Sequence, residues 1–376
     1  MKPITSRAGI ALAAAAALTL SACGEAPDEE NGDGENGEAA EDVDYTACLV
    51  SDEGGWDDQS FNQSAYEGLQ DAIEDFGVDD QTAESQSEAD YDTNVDAMVQ
   101  QGCDVVFGVG FLLEESLNAA AGANPDTDFA LIDEVFSEEH ENAKPLVFNT
   151  AEAAYLGGYV AAAMTESGTV GTWGGIQIPS VTVFMDGFSD GVDRYNEDND
   201  EDVELVGWDK DAQNGSFSGD FSDQTQGQQV TEQLLAQDAD IIMPVAGNAG
   251  LGAGPAIESA DAQMIWVDSD GYESTEYGDI ILTSVLKQIS QAVYDTIEEG
   301  VNEEFSNEPY VGDLENEGVG LAPFHDFEDD VPEEVVEAVE QITEEIIAGE
   351  TVVESDNAPS EDDAEAGDED EAEEDE

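Results

Sequence analysis

Short apolar runs alternate with amphipathic stretches along most of the chain. The runs "YTACLV" (45–50), "CDVVFGVG" (103–110), "DFALID" (128–133) and "PLVFN" (145–149) predict buried strands. A second set follows in "GTVGTWGG" (168–175), "VELVGW" (203–208), "ADIIMPVAG" (239–247) and "QMIWVDSD" (263–270). Between them the spacing predicts helices, with Ala65, Leu69, Ala72, Ile73 and Phe76 on one face and Val285, Ile289, Val293 and Ile297 on another. Strand and helix in alternation predict α/β architecture with parallel sheets covered on both faces, and two sets in tandem predict two such domains.

Open parallel sheets bind ligands beyond the carboxyl ends of their strands. The stretch "DEGGWDDQSFNQSAYEGL" (52–69) occupies such a place, leaving "YTACLV" and starting a helix near Asn62. So do "GVGFLL" (108–113), "IDEVF" (132–136), "PVAGNAG" (244–250) and "VDSDG" (267–271), which makes five strand ends carrying Gly, Asp or Phe toward one expected cleft.

The two ends of the chain read differently from this body. Lys2 and Arg7 precede an apolar run from about Ala8 to Leu20, shorter than the roughly 20 residues that a spanning helix needs, so residues 1–22 read as a secretory signal. Its tail, Leu20-Ser21-Ala22-Cys23, resembles the bacterial lipobox, which implies cleavage before Cys23 and lipidation of that thiol. Residues 23–44 are acidic and Gly-rich with almost nothing apolar, as expected of a disordered tether. Residues 351–376 are expected to form an acidic disordered tail, since the block from Glu354 onward repels itself. No later segment is apolar enough to span a membrane.

Six Lys plus Arg against 94 Asp plus Glu give a formal net charge of −88, which excludes nucleic acid as a partner because phosphate binding runs on basic residues. The acid is spread along the whole chain, which fits a protein adapted to high salt, where the Debye length falls to about 3 Å at 1 M. A dedicated cation site is the weaker reading. The best candidate, "DNDEDVELVGWD" from Asp198, has Val203 where a calcium loop needs Gly and Asp209 where it needs Glu. With Cys23 taken by lipid, Cys48 and Cys103 are expected as buried free thiols by default; a disulfide is open to an extracytoplasmic protein, but spacing alone does not show one.

Enzyme chemistry has little support. His140 and His325 stand in acidic, loop-like contexts away from the five strand ends, and no Ser elbow, Cys-His site or metal triad is present in the sequence. The glycine-rich "GNAGLGAGP" (247–255) lacks the Lys-Ser/Thr of a phosphate loop. Clustered aspartates leave a nucleoside hydrolase-like activity as the enzyme alternative. After the signal only Lys144, Arg194, Lys210 and Lys287 are basic. Surface ion pairs account for the first three, whereas Lys287, following an apolar run, is expected to pair with Asp268 and donate to a ligand hydroxyl.

Asp52, Gly54, Gly55, Asp58, Ser60, Phe61, Asn62 and Gln63, followed by Glu67-Gly68-Leu69, form a recognisable signature. Gly108, Gly110 and Phe111, "FALID" ending at Asp133, "AYLGGYVAA" (154–162), "FMDGFSDGV" (184–192) and "LTSVLKQISQAV" (282–293) follow in order. Together they resemble the basic membrane protein family of substrate-binding lipoproteins, of the purine nucleoside receptor A type, from Tyr45 to near Phe324. The resemblance implies two Rossmann-like, doubly wound lobes joined by a hinge, the type I periplasmic-binding-protein fold. The N-terminal lobe is expected over 45–149 plus about 271–305, and the C-terminal lobe over 150–270 plus about 306–350.

By the same resemblance, Phe61 stacks on one face of a base, with a hydrophobic staple for its own helix as the plain alternative. "GSFSGDFSDQTQG" carries four residues more than the family motif for the second stacking aromatic, so Phe221 is preferred with Phe217 as the alternative. Asp133 matches the acid for the base edge, Asp268 the acid for the ribose with Asp270 as alternative, and Lys287 the lysine that reaches the ribose. Asp52, Asp58, Asn62, Gly110, Phe111 and Gly247 complete the expected ligand-binding set; Asp58 is open to a capping role and Ser60 is expected to cap. The implied protein is a monomer without a cofactor, lipid-anchored on the extracytoplasmic face of the cell membrane, that binds a nucleoside and serves an ABC permease and ATPase. A sugar or other small polar solute, or a surface receptor without transport, stand as alternatives.

Overall fold

A computed structural model describes residues 43–359. The expected signal, the lipidation at Cys23, most of the tether and residues 360–376 lie outside the described residues. Within them the chain builds two six-stranded sheets. The first holds β1 (Thr46–Ser51), β2 (Asp79–Glu84), β3 (Val105–Val109), β4 (Asp128–Ile132), β5 (Ala143–Phe148) and β13 (Tyr310–Gly312), ordered β13-β5-β4-β3-β1-β2 and parallel throughout. The second holds β6 (Thr169–Gly174), β7 (Glu204–Val206), β10 (Ile241–Val245), β11 (Gln263–Asp268), β12 (Ile281–Lys287) and β14 (Val319–Leu321). Its order is β14-β12-β11-β10-β6-β7, with only β14 antiparallel. A small hairpin, β8 (Trp208–Asp209) with β9 (Asn214–Gly215), stands beside it.

All eight predicted strands are present, and except in the edge strand β7 their central residues are buried because helices cover both faces. In each sheet the first strand sits between the second and the third, so each has a switch point where flanking loops part and leave a crevice. The chain crosses between sheets three times, after β5, after β12 and after β13, which is where the expected hinge falls.

The last third of the chain departs from the expected lobe boundaries. β12, expected with the first lobe, belongs to the second sheet, while the helix Ile289–Val301 packs on the first-lobe helix Phe61–Phe76. That packing is close enough that a Cβ on Gly68 would stand 2.2 Å from the Ser290 carbonyl oxygen. β13, expected with the second lobe, completes the first sheet. Val285, expected on a helix face, lies on β12, and the helix begins only at Ile289. The reason is common to these cases: apolar residues before and after a crossing look alike in sequence, and the sheet they join is decided by long-range pairing.

Cys48 and Cys103 form a disulfide, with Cα atoms 6.0 Å apart, correcting the default of free thiols. Pairing of β1 with β3 sets Cys48 opposite Val106 and so brings Cys103 within reach across 55 residues. By loop-closure entropy such a crosslink contributes roughly 4 kcal/mol. The expected tail also begins later than Thr351: residues 351–359 are seated on the second lobe, where Ser355 and Asn357 donate to Asp186 at 2.6 and 2.8 Å. A buried carboxylate supplies the partner that a self-repelling acidic segment lacks on its own.

Candidate functional site

One cleft lies between the carboxyl ends of the two sheets. The first lobe contributes Asp52 after β1, Gly110 and Phe111 after β3, and Asp133 after β4. The second contributes Gly247 after β10, Asp268 ending β11, Lys287 ending β12, and Phe221 from the loop following β9. With Asp58, Phe61 and Asn62 at the start of the helix Phe61–Phe76, all eleven residues singled out from the sequence line this one cleft.

Backbone geometry explains several of these identities. Gly110 has φ +117°, and a Cβ there would lie 2.0 Å from Asp52 Oδ2, so glycine is what lets the buried Asp52 carboxylate turn into the cleft. Asp133 and Asp268 occupy equivalent strand ends in the two lobes, with φ of 69° and 68°. That left-handed conformation is uncommon outside glycine, and Asp tolerates it better than most residues.

Asp58 caps the helix. Its Oδ2 accepts from Asn62 N at 2.9 Å, and its Oδ1 from Gln63 N at 3.0 Å and Ser60 N at 3.1 Å. Ser60, expected to cap, instead turns its hydroxyl across to the second lobe, donating to Asp268 Oδ2 at 2.6 Å and the Val267 carbonyl at 3.1 Å. A carboxylate with two oxygens satisfies three N–H groups at once, which frees the serine. Asn62 Nδ2 reaches Asp52 at 3.4 Å, and Asn62 Oδ1 is buried with no hydrogen-bond partner.

Lys287 is the hub. Its Nζ bonds Asp133 Oδ2 at 2.7 Å and stands 3.8 Å from Asp268 Oδ1, so the close partner is Asp133 and the expected Asp268 pairing is the longer one. The rings of Phe184, Phe61 and Phe148 have centroids 4.9, 5.4 and 5.6 Å from the ammonium. Three ring faces and two carboxylates stabilise a cation whose side chain is 1 % exposed. Asp270 is committed elsewhere, to His325 at 2.7 Å and to the backbone N–H of Tyr272. His325, expected far from the strand ends, is thus tied to one of them and stacks on Tyr272 with centroids 4.1 Å apart.

The extra residues in "GSFSGDFSDQTQG" form a turn in which Asp220 Oδ1 accepts from Ser222 N and Asp223 N. The turn separates the two aromatics: Phe217 packs edge-on against Trp208, and Phe221 lines the cleft. Gly175 makes room for it, since a Cβ there would stand 2.4 Å from the Phe221 ring. Ile178, Ser180, Val181 and Phe184, around the start of the helix Pro179–Asn199, also line the cleft and were not anticipated. Their signal was the strand end after "GTVGTWGG", a sixth instance of the rule that found the others.

Burial raises the pKa of every carboxyl group in the cleft. Asp52 is held well above its ordinary value by desolvation, against the opposing bond from Asn62. Desolvation pushes Asp58 up to about 6 despite its three backbone bonds. Asp133 and Asp268 are raised by desolvation, opposed by Lys287. Four buried acids facing one cation make a site that favours N–H and O–H donors and disfavours anions.

Lys144 pairs with Glu299, Arg194 with Asp198 and Glu345, and Lys210 with Asp190; Lys144, expected at the surface, is buried. Among the described residues no group of acids and histidines has the geometry of a metal site, and no helix is long and apolar enough to cross a membrane.

A family described as ABC transporter substrate-binding protein, PnrA-like, matches residues 46–357. The chain belongs to the Bmp family. Members are substrate-binding proteins of ABC transporters, not enzymes, and work with permease and ATPase subunits. Similar Bmp relatives include the "ABC transporter nucleoside-binding protein BmpA" of Lactococcus lactis subsp. cremoris, 30% identical with 83% of this chain and 90% of that protein covered. The "CD4+ T-cell-stimulating antigen" of Listeria innocua is 27% identical, with 94% and 99% covered. Among solved structures, an ABC transporter solute-binding protein from Aeropyrum pernix superposes with a TM-score of 0.75 at 28% identity, covering 83% of this chain and 94% of that one. The Bmp fold is therefore the two-lobed periplasmic-binding-protein fold expected from the sequence.

Proposed function

We propose that this chain is anchored through lipid on Cys23 at the extracytoplasmic face of the membrane, binds a purine nucleoside between its lobes and delivers it to an ABC importer. The observation that carries the ligand is that Phe61 of the first lobe and Phe221 of the second line the same cleft, together with buried carboxylates and a single ammonium. Two aromatic walls suit a flat, neutral base, and stacking contributes about 1–3 kcal/mol per base. Asp52, Asp133 and Asp268 accept from base N–H and ribose O–H groups, while Lys287 donates to a ribose oxygen. Four carboxylates oppose a phosphate, so nucleosides bind more tightly than nucleotides. The nucleoside-binding relative from Lactococcus supports the same class. The acidic composition belongs with this reading as adaptation to a salt-rich exterior.

Calorimetric titration of the unlipidated protein in molar salt with adenosine, guanosine, inosine, uridine and ribose tests the ligand. Saturable binding of purine nucleosides with weak or no ribose binding is expected. Binding of ribose alone moves the ligand to the sugars and overturns the stacking argument.

A further inference from the structure

Asp186, on the helix Pro179–Asn199, is fully buried, and its carboxylate accepts four hydrogen bonds. Two come from the second lobe's own body, Trp208 Nε1 at 3.0 Å and Gln213 Nε2 at 2.9 Å. The other two are those from Ser355 and Asn357, and Asn357 Nδ2 also reaches Gln213 Oε1 at 3.0 Å. Upstream, Thr351 accepts from Arg194 and the Glu354 carbonyl accepts from Lys210. Val353 and Ala358 add apolar contact with the core. The segment is thus held by one fully buried carboxylate and by two partly exposed basic side chains.

The segment's last residues have a definite position. Asn357, Ala358 and Pro359 line a second chamber that adjoins the ligand cleft, sharing Asp133, Ser180 and Lys287 with it. Phe148 of the first lobe lines the same chamber. The segment therefore begins on one lobe and ends against a space bounded by both.

We propose that residues 351–359 are a strap, seated on Asp186, that forms the outer wall of this chamber and closes the Lys287 side of the ligand cleft to solvent. A dry Lys287–Asp133 pair interacts more strongly than a wet one, so the strap slows exchange of both water and ligand at that side. The claim about ligand rests on the nucleoside reading; the claim about solvent does not.

Val183 lines the chamber and is 3 % exposed, which makes Val183→Cys a reporter of access. In a Cys23→Ser background, with Cys48 and Cys103 joined, maleimide labels only that thiol. Labelling is compared in the full chain, a chain ending at Pro359 and a chain ending at Glu350. The first two should react at the same rate and the third at least roughly tenfold faster, as the strap is what covers the site. Full-length Ser355→Ala/Asn357→Ala, which leaves the Trp208 and Gln213 bonds in place, should be faster than wild type and decides the matter if the shorter chain does not fold. Equal labelling in all folded forms overturns the strap. Stopped-flow release of the purine nucleoside should accelerate in the same two strap variants, and unchanged release overturns control of exit. If no nucleoside binds the full chain, the proposed ligand falls and labelling alone judges the strap.

Discussion

Ser60 Oγ of the first lobe donates to Asp268 Oδ2 of the second at 2.6 Å. Around it the Gln59 carbonyl accepts from Trp266 Nε1 and from Ser269 Oγ, each at 3.0 Å, so the loop that starts the first helix is fastened to the end of β11. The contact joins the two lobes through Asp268, which also lines the cleft, and so acts as a latch between them. Ser60→Ala removes the donor and leaves a buried carboxylate oxygen unpaired. A hydrogen bond to a charged group contributes about 1.5–3 kcal/mol, so ligand affinity should fall at least roughly tenfold. Calorimetry on the variant checks this, and unchanged affinity removes the latch.

The two phenylalanines of the "GSFSGDF" turn should separate cleanly. Phe61→Ala and Phe221→Ala should each weaken nucleoside binding by about 1–3 kcal/mol. Phe217→Ala, at the Trp208 contact, should lower the melting temperature and leave affinity alone. Equal losses of affinity at Phe217 and Phe221 would contradict the placement of one wall of the site.

Lys287→Met keeps the side-chain length and removes the charge. Breaking a buried ion pair by removing one partner typically costs about 3–5 kcal/mol, because Asp133 and Asp268 are left without their cation. Their pKa values should then climb further, so the variant should recover stability as pH falls from 7 to 5. Thermal unfolding across that range decides, and a variant as stable as wild type at pH 7 contradicts the role.

In the wild type the same sign holds more weakly. Asp58 titrates near its ordinary 3.8 when unfolded and near about 6 when folded, so the folded state binds the extra proton in between. Its stabilising contribution is present at acid pH and is lost as pH rises through about 6, by on the order of 3 kcal/mol at most. At constant molar salt the protein should melt higher at pH 5 than at pH 7. Asp58→Asn retains an acceptor for the cap and should flatten the slope; an unaltered slope assigns the pH dependence elsewhere.

Salt itself is the fifth variable. With a formal net charge of −88, self-repulsion opposes the compact state wherever it is unscreened. The melting temperature should rise steadily between roughly 0.1 M and about 2 M salt. Equal stability at both extremes would remove the adaptation to high salt.

The fold was legible where burial and periodicity coincide. β1, β3, β10 and β11 are apolar runs ended by Gly or Asp, and the same endings located the cleft. β2 was invisible because "DDQTAE" is an exposed edge strand whose pairing with β1 leaves no apolar face to read. β13 and β14 are three residues each, too short to carry a period. In the site, Ile178 and Phe184 were missed because apolar side chains lining a cleft look in sequence like core. The exchange of roles between Asp58 and Ser60 was hidden for another reason: a capping signature names acceptors near a helix start and not which of them the far lobe will claim. The bond from His325 to Asp270 spans 55 residues and has no local signal at all.

The ion pairs of Lys144, Arg194, Lys210 and Lys287 have one more consequence. Among the described residues every lysine and arginine is spent inside the molecule, so the outer surface offers a docking subunit carboxylates and dipoles but no free ammonium or guanidinium. A permease that receives ligand from this protein must therefore bring the positive charge itself. Its receiving face should be ringed with arginine and lysine, and the handover should slow as salt screens the attraction between the two.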